Sequence, residues 1–438
     1  MNKLKHLLVS SKLFFIIWCM LAAFGTYFCM YAFRKPFTSG TYTGLTFFNL
    51  DYKAVLIISQ VLGYMISKFI GIKVISELKK SGRKKLIIGL ILFAEASLLL
   101  FGLVPYPFNF IFLCLNGLPL GMVWGIIFSY LEGRRFTEML AMGLSISLIV
   151  SSGIIKTIYF TIHEWLPWVS EFWMPATVGL FFLPLFLLFV WMLNVIPEPN
   201  ETDKLLRVER LPMNTEDKKL CLREYGIAII GIGIIYTMLT TMRDFRDNFS
   251  VEIWTEIDSQ WDKAVFSITE GISGTIVLLF IGSLSLIRNN IKGFWGTQYL
   301  IALGLILSGG STLCFQFNLI SPFWWMLLVG MGMFMAYTPI QVVLFERMIA
   351  LFKIKANAGF FVYICDAVGY LGSVGLLLYK EFFMKNVSWA KVLMQFSYLL
   401  SGICLLLLVF VAIFFNRKIR AKGPITGILD KLPINLHD

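Results

Sequence analysis

The sequence predicts an all-α membrane protein with twelve transmembrane helices, arranged as two six-helix bundles around a central cavity. Three observations lead there. Of the 438 residues, 58% are hydrophobic, and the mean hydropathy of +0.78 is far above that of soluble domains. Apolar runs of about 20 residues, enough to cross the hydrocarbon core of a bilayer, recur from end to end. The longest polar interval between runs, "IPEPNETDKLLRVERLPMNTEDKKLCL" at 196–222, divides six of them from the other six.

The twelve spans fall at 13–35, 52–73, 85–104, 108–131, 139–161, 174–195, 224–245, 262–286, 295–315, 322–346, 356–380 and 390–415. The first reads as a full span, since no small-residue cleavage site follows it. The expected organisation is an N-terminal bundle over 1–195, a cytoplasmic linker over 196–222, a C-terminal bundle over 223–415 and a cytoplasmic tail over 416–438. The halves echo each other. "YLEGRR" at the end of the fourth span corresponds to "LFERM" at the end of the tenth, and "YAFR" in the first to "TTMR" in the seventh.

Orientation follows from charge. Twelve spans put both termini on one side, and that side carries 27 of the 38 lysines and arginines. Basic loops stay in the cytoplasm, so both termini are expected there, in an inner (plasma) membrane. The net charge of +12 is thereby explained by topology, and no nucleic-acid partner is implied. Seven cysteines, six inside apolar runs, make neither a disulfide framework nor a metal motif.

Ionisable side chains inside a span are expensive and in transporters face a cavity or each other. The stretch "TYFCMYAFRKPF" places Tyr27, Tyr31 and Arg34 at i, i+4 and i+7 on one helical face, with Lys35 beside it. Gln60, Tyr64 and Lys68 repeat the four-residue step in the second span, where Lys68 is too deep for easy snorkelling. Ser145, Ser152 and Lys156 form a polar stripe in the fifth span, and Tyr363, Asp366, Tyr370 and Ser373 another in the eleventh; Glu270 lies in the eighth. Plainer readings stand beside these. Arg34 and Lys35 suit an edge anchor before Pro36, the tyrosines an interfacial belt, and Lys156 a structural pair with Asp366 or Glu270. In "TMRDFRDNF" the neighbours Asp244 and Asp247 suit local neutralisation of Arg243 in a loop.

These residues resemble the organophosphate:phosphate antiporter branch of the major facilitator superfamily, the glycerol-3-phosphate and hexose-phosphate transporters. "YFCMYAFRKPF" is similar to the branch's first span, "GYMISKFI" to its second, "NGLPLGMVWG" to its fourth and "GISGT" to its eighth. "YTP" at 337–339 and "KANAGF…GYLG" follow in order as the tenth and eleventh, and Arg243 stands where the branch has its seventh-span arginine. The resemblance implies that Arg34 and Arg243 grip a substrate phosphate, that Lys35 and Lys68 add positive potential, and that Tyr27 and Tyr31 line the site; Tyr64, Lys156, Tyr337, Tyr363 and Asp366 are further candidate substrate-binding residues. Guanidinium suits the task, offering a planar fork of donors to two phosphate oxygens. Departures are plain. The branch's fifth-span histidine is Leu148, with Lys156 two turns on, and the acid of the loop motif "SELKKSGRKK" is replaced by Lys79, with Glu77 nearby. The additional acids Asp244, Asp247 and Asp366 also suit a zwitterionic substrate or proton symport.

The expected function is secondary transport of a small organic anion, a phosphorylated molecule exchanged for phosphate, by a monomer in the lipid bilayer. Alternatives are a proton-coupled carrier or drug exporter using Asp366 or Glu270, and a non-transporting sensor of the same fold. No metal, cofactor or enzymatic motif is read from the chain.

Overall fold

The computed structural model describes residues 2–76, 78, 80–131, 137–198, 215–287, 289–352 and 358–421. A short helix α1 (Asn2–Ser10) leads into α2 (Lys12–Ala32), α3 (Tyr52–Ser76), α4 (Arg83–Leu103), α5 (Phe110–Leu131), α6 (Thr137–Trp165) and α7 (Met174–Val195). The second half runs through α8 (Thr215–Asn248), the short α9 (Ser250–Ile257), α10 (Ala264–Ser285), α11 (Asn290–Gln316) and α12 (Pro322–Pro339). A π turn at Ile340–Leu344 joins α12 to α13 (Phe345–Phe352), where Pro339 has removed a backbone donor. Then come α14 (Ala358–Phe383) and α15 (Trp389–Ala421).

Eleven of these helices are long and apolar enough to cross a membrane. The eleventh predicted span coincides with α14, 26 residues long, some of whose side chains lie outside the described residues. Bulky apolar side chains such as Phe69, Leu279 and Leu406 are exposed on the bundle's outer surface. In water that surface would drive aggregation; in lipid it is solvated.

Packing partners repeat between halves. In the first, α2 packs on α6 and α7, α3 on α5, and α4 on α5 and α7; in the second, α8 packs on α14 and α15, α10 on α12, and α11 on α12 and α15. The two bundles meet where α6 lies along α10 and α3 along α14. Small residues allow the closest approaches. A Cβ on Gly117 of α5 would sit 2.2 Å from the Gln60 carbonyl of α3, and one on Gly63 only 2.0 Å from the Cys114 carbonyl.

The side of the bundle opposite residues 12 and 421, the far face, carries the loops at 33–51, 104–109, 166–173, 249–263, 317–321 and 384–388. A two-stranded antiparallel hairpin, β1 (Thr46–Phe47) with β2 (Leu50–Asp51), lies there. Its turn is made by Phe48 and Asn49, both at positive φ (51° and 62°).

Candidate functional site

The site begins where α2 ends. Tyr27 and Tyr31 share a buried face, their rings 5.6 Å apart. α2 ends at Ala32 and a 3₁₀ turn follows at Pro36–Ser39, so carbonyls at the junction lack intrahelical donors. Side-chain amides fill the gap. Asn116 of α5 donates to the Phe33 carbonyl at 3.0 Å, and Gln60 of α3 donates to the Arg34 carbonyl at 2.9 Å. Gln60 also donates to Asn116 Oδ1 at 2.8 Å. So anchored, Arg34 is only 9% exposed. Its guanidinium lies 4.2 Å from the centre of the Tyr64 ring and 5.7 Å from that of Tyr31. Among the described residues no carboxylate pairs with it, and its Nε has no hydrogen-bond partner. Buried arginines are almost always paired, so Arg34 is the anomaly of the bundle.

The second half contributes a connected chain of polar groups. Arg243 NH1 donates to the Tyr337 hydroxyl at 2.5 Å, the Tyr236 hydroxyl donates its proton to Asp366 Oδ1 at 2.6 Å and accepts from Tyr337 at 2.8 Å, and Asp366 Oδ2 lies 3.4 Å from Lys68 Nζ. The chain therefore crosses from one bundle to the other. Tyr64 and Tyr370 reinforce the crossing with a ring contact at 5.2 Å. Tyr31 and Tyr370 each lie within electrostatic reach of both Arg34 and Arg243, so the two arginines share one neighbourhood.

They do not share one state. Arg243 is held by Asp244, from Nε at 3.1 Å and NH2 at 2.9 Å, and Asp244 is itself held by Ser373 at 2.9 Å. Among the described residues Arg34 has no carboxylate partner, whereas Arg243 is paired with Asp244, one of the two acids that suited its local neutralisation. The local arrangement is helical, however, because α8 continues to Asn248 through what the sequence suggested was a loop.

Lys156 also departs from expectation. It pairs with Asp247 Oδ1 at 2.7 Å and donates to Ser250 Oγ at 2.8 Å and to the Asp247 carbonyl; among the described residues it pairs with neither Asp366 nor Glu270. Lys35 reaches the other oxygen of the same carboxylate at 2.5 Å and donates to Asn248 at 2.7 Å. One aspartate thus joins two buried lysines across the bundle boundary, with Ser152 donating to it as well. Glu270 pairs with Arg246 at 2.5 Å, and Arg246 also donates to the Met326 carbonyl. The Tyr363 side chain lies outside the described residues, as do Glu77 and Lys79. Arg83 of the loop motif donates to the Ser129 carbonyl at 2.9 Å.

Around this site, among the described residues, six cations (Arg34, Lys35, Lys68, Lys156, Arg243 and Arg246) therefore face four carboxylates (Asp244, Asp247, Glu270 and Asp366), an excess of two positive charges. Every one of these acids already has a resident cation, which leaves none to hold a substrate's ammonium group. Sequence reasoning missed Arg246 as an interior residue, because the polar run "RDFRDN" reads as a loop. It also missed Glu95 of α4, buried against Gly179 with both carboxyl oxygens unpartnered. Its signal was visible: a single acid inside the apolar run "LILFAEASLLL".

No curated protein matches the chain in sequence. Solved structures match its fold at low identity. A peptide transporter of the POT family, solved with alafosfalin, superposes with a TM-score of 0.61 at 14% identity over 92% of this chain and 95% of its own. The nucleoside transporter NupG gives 0.59 at 14% over 91% and 98%, and a D-xylose-proton symporter 0.59 at 16% over 92% and 98%. The fold is that of the major facilitator transporters. Residues 36–418 match the model of the family of unknown function DUF5690, and the chain belongs to that family.

Proposed function

We propose that this protein is a secondary transporter of the plasma membrane, with both termini in the cytoplasm, that moves a small organic anion by alternating access. A phosphorylated molecule exchanged for phosphate is the substrate class that its residues fit best. One observation carries the reading: Arg34 is buried, stacked on Tyr64 and without a carboxylate partner among the described residues. Such a guanidinium, buried among low-dielectric helices, is a site prepared for an anion. The excess of two positive charges suits a phosphate dianion, and Lys35, Lys68 and Arg243 stand near enough to share it once their own acids yield. Exchange follows from the same electrostatics. An empty site with this excess closes poorly, so the occupied carrier reorients and one anion leaves as another enters.

The test is counterflow in proteoliposomes. Phosphate loaded inside should accelerate entry of labelled phosphate, and unlabelled phosphate esters should compete. Arg34→Lys keeps the charge but removes the fork, and should reduce exchange at least tenfold. Absence of exchange in the parent protein, or full exchange in Arg34→Lys, rejects the proposal.

A second reading is favoured by Asp366, which divides its oxygens between Lys68 and Tyr236 across the bundle boundary. Protonation there would release Lys68, as a proton-coupled carrier requires. Uptake driven by a pH gradient and lost in Asp366→Asn would support it over exchange.

A further inference from the structure

A second group of buried charges sits at the far face, apart from Arg34. Asp51 ends the β hairpin and Lys53 opens α3; Glu252 comes from α9; Lys380 and Glu381 end α14. The first two belong to one bundle and the other three to its partner bundle. Lys53 Nζ lies 2.5 Å from Glu252 Oε1, and Lys380 Nζ 3.2 Å from Glu381 Oε1. Glu381 Oε2 accepts the Asp51 backbone N–H at 3.0 Å, which brings the Asp51 and Glu381 carboxyls into one neighbourhood. Lys53, Lys380 and Glu381 are each at most 6% exposed. Trp389 covers Lys380 with its ring centre 3.7 Å away, and Phe249 flanks Lys53 at 5.6 Å.

The seam ties the bundles together. The Tyr106 hydroxyl holds the hairpin to its own bundle at the Thr46 carbonyl, while Lys385 reaches across to the Asn49 carbonyl at 3.1 Å. Among the described residues three carboxyls thus meet two buried ammonium groups in a sheltered interface, with the exposed Lys385 at its edge. Each buried lysine already has its own glutamate, so Asp51 is the carboxyl in excess, and Glu252 Oε2 is buried without a partner. Excess negative charge in such a place is relieved by taking up a cation.

We propose that this cluster is a proton-binding site that couples closure of the far face to acidity: Asp51 takes up one proton when the bundles join there and gives it up when they part. Burial pushes the Asp51 carboxyl up from its ordinary value; Glu381 adds to the rise, while the Lys53 backbone N–H and the Lys53 and Lys380 ammonium groups oppose it. Burial likewise pushes Glu252 up despite Lys53 beside it, with Asp51 adding to the rise. Lys156 also lies within electrostatic reach of Lys53. The sign follows. A carboxyl raised in the closed form stabilises that form in acid, and the stabilisation disappears as pH climbs through the raised value.

The experiment places spin labels on Phe48→Cys and Phe383→Cys, two exposed positions on opposite bundles, while five of the seven native cysteines are buried. Distances are measured by pulsed electron resonance in lipid nanodiscs without sodium, from about pH 5 to about pH 9. The ratio of close to separated populations should fall with rising pH, by up to about tenfold per unit in the steepest interval. Asp51→Asn keeps an oxygen acceptor for the Lys53 N–H, which Asp51 Oδ1 now binds at 2.9 Å, and should flatten the profile while leaving the face closed. A profile without pH dependence, one unchanged in Asp51→Asn, or closure that needs sodium overturns the proposal.

Discussion

Asp247→Asn tests how the bundles are held together. The Asp247 carboxylate lies 2.5 Å from Lys35 and 2.7 Å from Lys156, whose side chains are 7% and 2% exposed. All three ammonium protons of Lys156 have acceptors here, two on Asp247 and one on Ser250. The amide would leave two buried lysines near Arg34 with no counter-charge. Removing one member of a buried pair costs about 3–5 kcal/mol because a charge is left uncompensated, and here two charges share the loss. The expectation is a destabilisation of about 4 kcal/mol, close to a thousandfold in the folding equilibrium. Chemical unfolding in mixed micelles measures it, in a cycle with Lys156→Met. The double variant should recover part of the loss, giving a coupling of at least about 1.5 kcal/mol, and Lys35 should keep the recovery incomplete. A coupling below about 0.5 kcal/mol, the worth of an exposed pair, would refute the reasoning.

Other expectations follow from packing and from the polar chain. Gly117→Ala should lower stability by about 2 kcal/mol, since the new Cβ meets the Gln60 carbonyl at 2.2 Å, whereas Gly310→Ala, with nothing within 4 Å, should raise it by up to about 1 kcal/mol; unfolding midpoints compare the two. Gly179→Ala places a Cβ 2.1 Å from Glu95 Oε2, so Glu95→Ala should rescue it, and failure of the rescue would show that backbone, not that carboxyl, is the obstacle. Tyr236→Phe removes the hydroxyl that bonds both Asp366, as donor, and Tyr337, as acceptor, and should cost about 1–3 kcal/mol in the same unfolding measurement.

The one-bundle features of the site were legible in the sequence, and the cross-bundle features were not. Tyr27, Tyr31 and Arg34 share a face because helical spacing alone puts them there. Lys68 and Lys156 were recognisable as interior charges because an apolar run surrounds each. Their partners were not, since Lys68 and Asp366 are 298 residues apart and Lys156 and Asp247 91. No local pattern encodes which acid a helix face will meet once two bundles dock. Adjacent residues behaved differently: Asp244 was visible as a neutraliser of Arg243 from the chain itself. The helix through "RDFRDN" was hidden because polar residues at the end of an apolar run look like a loop. Here they remain helical because Lys35, Lys156, Glu270 and Ser373 satisfy their charges within the protein. The eleventh span illustrates the same physics, as α14 offsets Asp366 with Tyr236 and Lys68 and Glu381 with Lys380.

Among the described residues Arg34 is the cation of the site without a carboxylate partner, and binding of inorganic phosphate tests that role most directly. A ligand bound only by the folded protein stabilises it by about 2.7 kcal/mol at a hundred times its dissociation constant, so thermal unfolding in rising phosphate reports occupancy without any assumption about transport. The parent protein should gain stability with phosphate, Arg34→Lys should gain almost none, and Arg243→Lys, whose guanidinium is already engaged by Asp244, should retain a substantial part of the gain. Equal stabilisation of the parent and Arg34→Lys, or loss confined to Arg243→Lys, would contradict the central role given to Arg34.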